Sequence, residues 1–213
     1  AIGPPAKGVQ PGRSGYDVVM SSSGWGRMQA IGGLLHALDK NDLPNMKNMD
    51  PVIQSQIAKL DPQHQFMVTY LWGYTTLGIN VEKVQAALGK MPMRDNAWDL
   101  LFKPEYVSKL KSCGVSLLDS PSEVVPAAMH YLGKPLASVD PRDYAEVGTL
   151  LDGIRPHITL FSSSGYINDM VNGSICVARG GSGDLANAKR RAAALSKPIQ
   201  IQPLMPKNGG IMF

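Results

Sequence analysis

Strand-like and helix-like segments alternate along almost the whole chain, and this alternation limits the possible folds more than any other feature of the sequence. Apolar runs typical of strands lie at 16–20 (YDVVM), 66–80 (FMVTYLWGYTTLGIN), 115–119 (VSLLD), 157–161 (HITLF), 175–178 (ICVA) and 199–205 (IQIQPLM). Because segments with helical signals separate these runs, we predict an α/β protein.

Local start and stop signals place helices between the strands. Asn80 can cap the segment VEKVQAAL, which Gly89 ends. Ser120-Pro121-Ser122-Glu123 has the N-cap serine, N1 proline and N3 glutamate of a capping box, and Asp140 followed by proline starts the next helix. Further helices are predicted through about His36, from Pro51, from Pro104, up to Gly173 and across 183–195.

The composition supports a folded core and argues against a nucleic-acid-binding protein. Hydrophobic residues make up 44% of the 213 positions, but no apolar stretch approaches the roughly 20 residues that cross a bilayer. The net charge of +4 comes from scattered residues, with one basic run at 189–191, and aromatic residues are only 7% of the chain. We therefore predict no nucleic-acid partner.

Two cysteines, Cys113 and Cys176, lie far apart and lack the close pairing of zinc or thioredoxin sites. A single disulfide in an oxidising compartment and two buried thiols both fit this pattern.

The N-terminal segment, residues 1–15, is rich in proline and glycine and is predicted to be irregular.

Ligands of open α/β sheets bind near the carboxyl ends of the strands, which here means the loops 21–24, 119–123 and 180–184. Two acidic residues in these loops, Glu123 and Asp184, lie near helix starts. Stabilisation by free backbone N–H groups, worth roughly 0.3–1 kcal/mol, explains such positions without any ligand. Alternatively, two carboxylates facing one cleft would hold a cation, since a desolvated ammonium needs charged partners.

Motifs for catalysis are missing from the sequence. It contains no G-x-S-x-G elbow, no Walker A loop and no H-E-x-x-H pair, and the four histidines show no ligand-like spacing. The run Gly180-Gly181-Ser182-Gly183 is a weak candidate for a phosphate-binding loop. We predict a protein that is not an enzyme and has no cofactor or metal; an acid/base pair of Glu123 and Asp184 is the catalytic alternative.

Several segments in order resemble the periplasmic putrescine- and spermidine-binding proteins that feed bacterial ABC transporters, with the putrescine branch the more similar. They are SGYDVVMSSS, LDKNDLPNMKNMDP, YLWGYTTLGINVEKV, WDLLFKPEYVSKLKSCGVSLLDSPSEV, YLGKPL, IRPHITLFSSSGYINDMVNGSICVARGGSGD and LMPKNGGIMF. The resemblance covers the chain from about Ser14 to Phe213.

The resemblance implies a type II periplasmic-binding-protein-like, two-lobed fold that closes on its ligand by hinge motion. It predicts a partial N-terminal lobe over 1–78, a C-terminal α/β lobe over 79–205 and a return crossover over 206–213. The first lobe is expected to be truncated, and an aspartate is expected just after Phe213.

The resemblance also implies a set of ligand-binding residues, because such receptors hold amine ends with carboxylates and methylene chains among aromatic rings. Matching positions are Glu123 and Asp184 for the amines, Ser21, Ser23 and Ser120 for the cleft lining and Phe213 for stacking. Cys113 and Cys176 match a disulfide pair. Three residues differ from the pattern of these receptors. Gly24 and Gly181 stand where relatives carry aromatic residues, and Arg179 stands where an apolar residue is usual.

These matches predict a monomeric periplasmic receptor that binds a polyamine, either putrescine or spermidine, and delivers it to an ABC permease. The alternative hypothesis is a binding or scaffold protein that derives from such a receptor and has lost polyamine transport.

Overall fold

A computed structural model describes residues 15–136, 138–207 and 209–212. The described residues up to Trp72 form one compact unit, and Gly73–Met212 forms a second. This division falls earlier in the chain than the predicted lobe boundary near Gly78, which lies inside a strand of the second unit.

The first unit consists of short helices joined by turns. Its α-helices are α1 (Ser23–Ile31) and α2 (Pro51–Ile57), with 3-10 turns at Lys40–Asp42 and Pro44–Asn48. Asp50 caps α2 by accepting hydrogen bonds from the N–H groups of Val52 and Ile53.

The strand predicted at 16–20 is wrong. These residues have no regular structure, and the side chains of Tyr16, Val18 and Met20 are exposed, Val18 to 82%. None of the described residues of the first unit forms a strand. An apolar, β-branched composition is therefore not sufficient for a strand here, since a strand also needs ladder hydrogen bonds to another strand.

The second unit contains the remaining helices and the sheet. Its helices are α3 (Val81–Leu88), α4 (Asp99–Phe102), α5 (Pro104–Leu110), α6 (Pro121–Tyr131), α7 (Pro141–Ile154), α8 (Tyr166–Asn172) and α9 (Ser182–Ala193), with 3-10 turns at Lys111–Cys113 and Arg155–His157. Its strands are β1 (Tyr74–Asn80), β2 (Val115–Leu117), β3 (Leu160–Phe161), β4 (Val177–Gly181), β5 (Ile201–Leu204) and β6 (Ile211–Met212).

The strands form one mixed sheet in the order β3-β2-β4-β1-β5, with β6 also paired to β1. β3, β2 and β4 run parallel, whereas β1 is antiparallel to β4, β5 and β6. The carboxyl ends of β2, β3 and β4 therefore lie at one edge of the sheet, together with the start of β1. The predicted α/β fold class is confirmed.

Each face of this sheet is covered by its own apolar cluster. Leu77, Ile79 and Val177 pack with residues of helices α3 to α7, whereas Ala178 packs with α8 and α9. Neighbouring residues of a strand point to opposite faces, so β4 contributes to both clusters. Gly78 also follows this alternation, since a Cβ there would meet Leu185 of α9 at 2.5 Å.

Helix predictions are mostly confirmed, but one cap is wrong. Asn80 accepts a hydrogen bond from the Lys83 N–H at 3.1 Å, and Gly173 ends α8 with the left-handed φ of 78°. Ser120 precedes α6 as predicted but makes no side-chain capping bond; its hydroxyl lies 2.9 Å from that of Ser122. The capping box is therefore not formed.

Cys113 and Cys176 form a disulfide with their Cα atoms 5.4 Å apart, which confirms the predicted pair. Cys113 lies just before β2, and Cys176 immediately precedes β4. The bond thus joins the amino ends of two neighbouring parallel strands. Among the described residues, no helix combines the length and apolar character required to span a membrane.

Candidate functional site

Glu123 and Asp184 lie at the same edge of the sheet, each in the first turn of the helix that follows a parallel strand. β2 leads to α6 and Glu123, and β4 leads directly to α9 and Asp184. β2 and β4 are neighbours, with Val115 opposite Val177. Since parallel strands end at the same edge, this topology brings the two carboxylates to adjacent positions.

Strand β4 is longer than the sequence predicted, and this changes the third candidate loop. The apolar run predicted a strand at 175–178, but β4 continues to Gly181 and α9 begins at Ser182. No loop separates them, so Gly180 and Gly181 belong to the sheet rather than to a flexible phosphate-binding loop.

Asp184 is held by a buried tyrosine. The Tyr166 hydroxyl donates a hydrogen bond to Asp184 Oδ2 at 2.6 Å and accepts one from the Gly181 N–H at 3.1 Å. The Tyr166 ring is 1% exposed and packs on Gly180, where a Cβ would meet the ring at 2.4 Å. Burial, together with the bond to Asp184, raises the pKa of Tyr166 well above its ordinary value. Tyr166 therefore stays neutral and orients the carboxylate.

Glu123 is held by a buried arginine. Arg179 Nη2 donates hydrogen bonds to the Glu123 carbonyl oxygen at 2.7 Å and to the Thr75 hydroxyl at 2.9 Å, and lies 3.4 Å from Glu123 Oε2. The Arg179 side chain is 0% exposed, whereas that of Glu123 is 24% exposed. The carboxylate therefore faces outward, with the guanidinium behind it.

The Arg179 guanidinium is in an unusually costly environment. Its Nε and Nη1 atoms are buried and have no hydrogen-bond partner among the described residues. Burial lowers the pKa of Arg179 to about 10, against the opposing effect of the Glu123 carboxylate. An arginine with this pKa remains charged at neutral pH, so the ion pair with Glu123 persists.

The two carboxylates are connected through the end of β4. Thr75 of β1, which bonds Arg179, lies opposite Gly181 of β4, and the Gly181 N–H bonds Tyr166. One continuous set of contacts thus leads from Glu123 to Asp184. Chemically, such an edge can bind a cationic or hydrogen-bond-donating group, since both carboxylate ends are acceptors.

The predicted site contains four further residues. Ser21 and Ser23 belong to the first unit; Ser21 is exposed, with its hydroxyl 3.4 Å from Gln29 Oε1, and Ser23 begins α1. Phe213 lies outside the described residues. Ser120 lies at the described edge, directly before α6. The binding roles of all six predicted residues remain predictions.

Sequence reasoning missed Tyr166 and Thr75. Both are ordinary residues at the start of a helix and within a strand, and no motif marks them. Their roles depend on the pairing of β1 with β4 and on the packing of α8, which only the tertiary structure gives.

A separate surface pocket of about 330 Å³ is lined by Pro92, Met93, Arg94, Asp95, Asn96, Asp99 and Lys207. Its most buried carboxylate, Asp99, accepts hydrogen bonds from Arg94 and Tyr131, both at 2.9 Å, and Lys103 lies 3.6 Å away. Burial opposes the charge of Asp99, but these partners hold its pKa below the ordinary value. Its contacts are therefore satisfied within the protein, and this pocket is a weaker candidate than the sheet edge.

Comparison with known families identifies the class of protein. The sequence model of the bacterial extracellular solute-binding proteins matches residues 6–213. The chain therefore belongs to this family.

Two similar relatives have names that describe putrescine binding. The chain is 43% identical over 202 residues to the putrescine-binding periplasmic protein SpuD of Pseudomonas aeruginosa, covering 95% of this chain and 55% of the relative. It is 43% identical over 206 residues to the putrescine-binding periplasmic protein PotF of Escherichia coli, covering 96% and 55%. The chain spans about half the length of these relatives.

Solved structures confirm the fold. The TpPotD lipoprotein of Treponema pallidum superposes with a TM-score of 0.67 at 20% identity, covering 86% of this chain and 52% of that one. The spermidine/putrescine ABC transporter substrate-binding protein PotD of Streptococcus pneumoniae gives 0.63 at 22% identity, covering 87% and 53%. The α/β fold is thus that of periplasmic binding proteins.

Proposed function

We propose that the protein is an extracytoplasmic receptor that binds a polyamine, putrescine first among them, and passes it to an ABC permease. The main support from the structure is the position of Glu123 and Asp184 at adjacent carboxyl ends of β2 and β4. The names of the relatives that are 43% identical support the ligand class and a periplasmic location.

The chemistry of the edge fits an ammonium ligand. An ammonium has three N–H donors and a positive charge, and leaves water at low cost only where acceptors and negative charge replace the solvent. Asp184, oriented by Tyr166 at 2.6 Å, offers both. The relatives' names describe binding, and we propose binding without catalysis for this protein as well.

Calorimetric titration with putrescine, spermidine and an amino acid tests the proposal. We expect heat of binding with putrescine, and a loss of about 10- to 100-fold in affinity for Asp184→Asn, because a charged hydrogen bond contributes about 1.5–3 kcal/mol.

A matched control removes one carboxylate from a position outside the proposed binding site. Asp152 is exposed near the end of α7, which leads to the amino end of β3 at the opposite edge of the sheet. Asp152→Asn should leave the affinity for putrescine unchanged. If no polyamine gives heat, the receptor proposal is wrong for this chain, and the alternative of a scaffold that has lost transport takes its place.

A further inference from the structure

The two carboxylates at the sheet edge have partners of different charge. Asp184 is bonded to the neutral hydroxyl of Tyr166, whereas Glu123 is paired with the guanidinium of Arg179. The three charged groups therefore sum to one negative charge rather than two.

We propose that Arg179 sets the charge preference of the receptor, so that it binds a singly charged amine nearly as tightly as a doubly charged diamine. This inference rests on the proposed function and concerns the same site. It identifies the ligand class as linear amines that have one ammonium group and a neutral, hydrogen-bonding second end, in addition to putrescine.

Arg179 acts through Glu123 and not by contact with the ligand. Its side chain is 0% exposed, so a ligand reaches only the 24% of the Glu123 side chain that is open to solvent. Nη2 also bonds the Glu123 carbonyl and the Thr75 hydroxyl, which fixes the guanidinium behind the carboxylate. Arg179 is therefore a specificity-determining residue within the protein interior.

The physical effect is a weaker electrostatic attraction between Glu123 and a second ammonium group. An ammonium bound to Glu123 would lie roughly twice as far from the guanidinium as from the carboxylate, so the repulsion cancels about half of the attraction. The same carboxylate remains a good acceptor for a hydroxyl or amide, since a neutral donor is not repelled. At the other end, the partner bonded to Asp184 is the neutral hydroxyl of Tyr166, so an ammonium there is opposed less directly than one at Glu123.

The experiment compares two ligands of equal length, putrescine and 4-amino-1-butanol, by calorimetric titration. For the unaltered protein we expect dissociation constants within about tenfold of each other. For Arg179→Met, which keeps an unbranched side chain in the buried position, we expect putrescine to bind at least about tenfold more tightly while 4-amino-1-butanol changes little. The measured quantity is the ratio of the two dissociation constants.

Two further variants separate charge from packing. Arg179→Gln keeps an amide donor near Thr75 and Glu123 but removes the charge, and should shift the ratio in the same direction even if Arg179→Met folds poorly. Arg191 is exposed in the last turn of α9, where it bonds Asn168. Arg191→Met makes the same change in net charge far from Glu123 and should leave the ratio unaltered.

A double-mutant cycle tests the route through Glu123. In Glu123→Gln/Arg179→Met, the gain for putrescine should disappear, because no carboxylate remains for Arg179 to offset. A gain that persists would show that Arg179 acts by another route and would overturn the proposal.

The possible results distinguish this inference from the proposed function. If the unaltered protein binds the two amines within about tenfold of each other and the Arg179 variants shift the ratio towards putrescine, the inference is supported. If the unaltered protein binds neither amine, the inference is overturned, even where an Arg179 variant binds putrescine. If the unaltered protein prefers putrescine by about 100-fold or more and both Arg179 variants keep that ratio, the inference is overturned while the receptor function stands. If none of the proteins binds either amine, the proposed function fails and the inference fails with it.

Discussion

At the scale of single residues, each carboxylate at the sheet edge is held by a side chain from another part of the chain: Arg179 contacts Glu123, and Tyr166 contacts Asp184. Glu123 and Asp184 could be placed at helix starts because proline, serine and glycine signals are local. Their partners come from 56 and 18 residues away, and no local pattern connects them. The interpretation of both residues as simple helix caps therefore described their positions and missed the side chains that contact them.

Tyr166 provides a prediction about alkaline pH. Burial raises its pKa above the value of 10.0 that it has in an unfolded chain, so the folded protein retains the proton longer. Its contribution to stability is complete below about pH 10 and is lost as the pH rises above that value, by about 1.4 kcal/mol per pH unit. Urea unfolding from pH 9 to pH 11 should therefore show a smaller decline for Tyr166→Phe than for the unaltered protein.

The same variant should be less stable at neutral pH by about 1–3 kcal/mol, because the partly buried Gly181 N–H loses its acceptor. Tyr144→Phe is the control, since that ring is exposed and its hydroxyl bonds only the carbonyl of Ser138 among the contacts described. Equal pH profiles for Tyr166→Phe and the unaltered protein would contradict the prediction.

At the scale of elements, helices were predicted better than strands. Caps and terminal glycines act within one turn, so α3, α7 and α8 begin and end close to where the sequence indicates. A strand needs a partner from elsewhere in the chain. The run at 16–20 has the composition of a strand but forms none, and within 66–80 only Tyr74–Asn80 forms a strand.

Two N-cap positions make a matched test of this difference. Asn80 caps α3 through the Lys83 N–H at 3.1 Å, so Asn80→Ala should lower the free energy of unfolding by about 1 kcal/mol or slightly more. Ser120 is a residue type favoured at N-caps but makes no capping bond to α6. Ser120→Ala should therefore change the free energy of unfolding by less than about 0.5 kcal/mol. Urea denaturation measures both, and equal losses for the two variants would contradict the structure.

At the scale of the whole molecule, strand direction was the main feature that the sequence left open. Apolar runs separated by helices suggest parallel strands, yet β1 runs antiparallel to its neighbours β4 and β5. Direction depends on which strands become neighbours, and that is decided by the core on both faces of the sheet. The disulfide, in contrast, was predicted correctly from the resemblance to receptors.

The disulfide should contribute strongly to the stability of the second unit. It links residues 63 positions apart, and the chain-entropy account gives about 4 kcal/mol for a bridge of that span. Cys113→Ala/Cys176→Ala should unfold at a lower urea concentration than the oxidised protein. The unaltered protein in a thiol reductant should behave like the variant; identical midpoints with and without reductant would refute this contribution.

The covalent link and the carboxylates occupy opposite ends of the same two strands. Cys113 and Cys176 precede β2 and β4, whereas Glu123 and Asp184 follow them, with the five residues of β4 spanning roughly 16 Å between the two edges. Reduction would loosen one margin of the sheet and so alter the spacing of acidic groups at the other. The redox history of a protein preparation is therefore an experimental variable in every affinity measured with it.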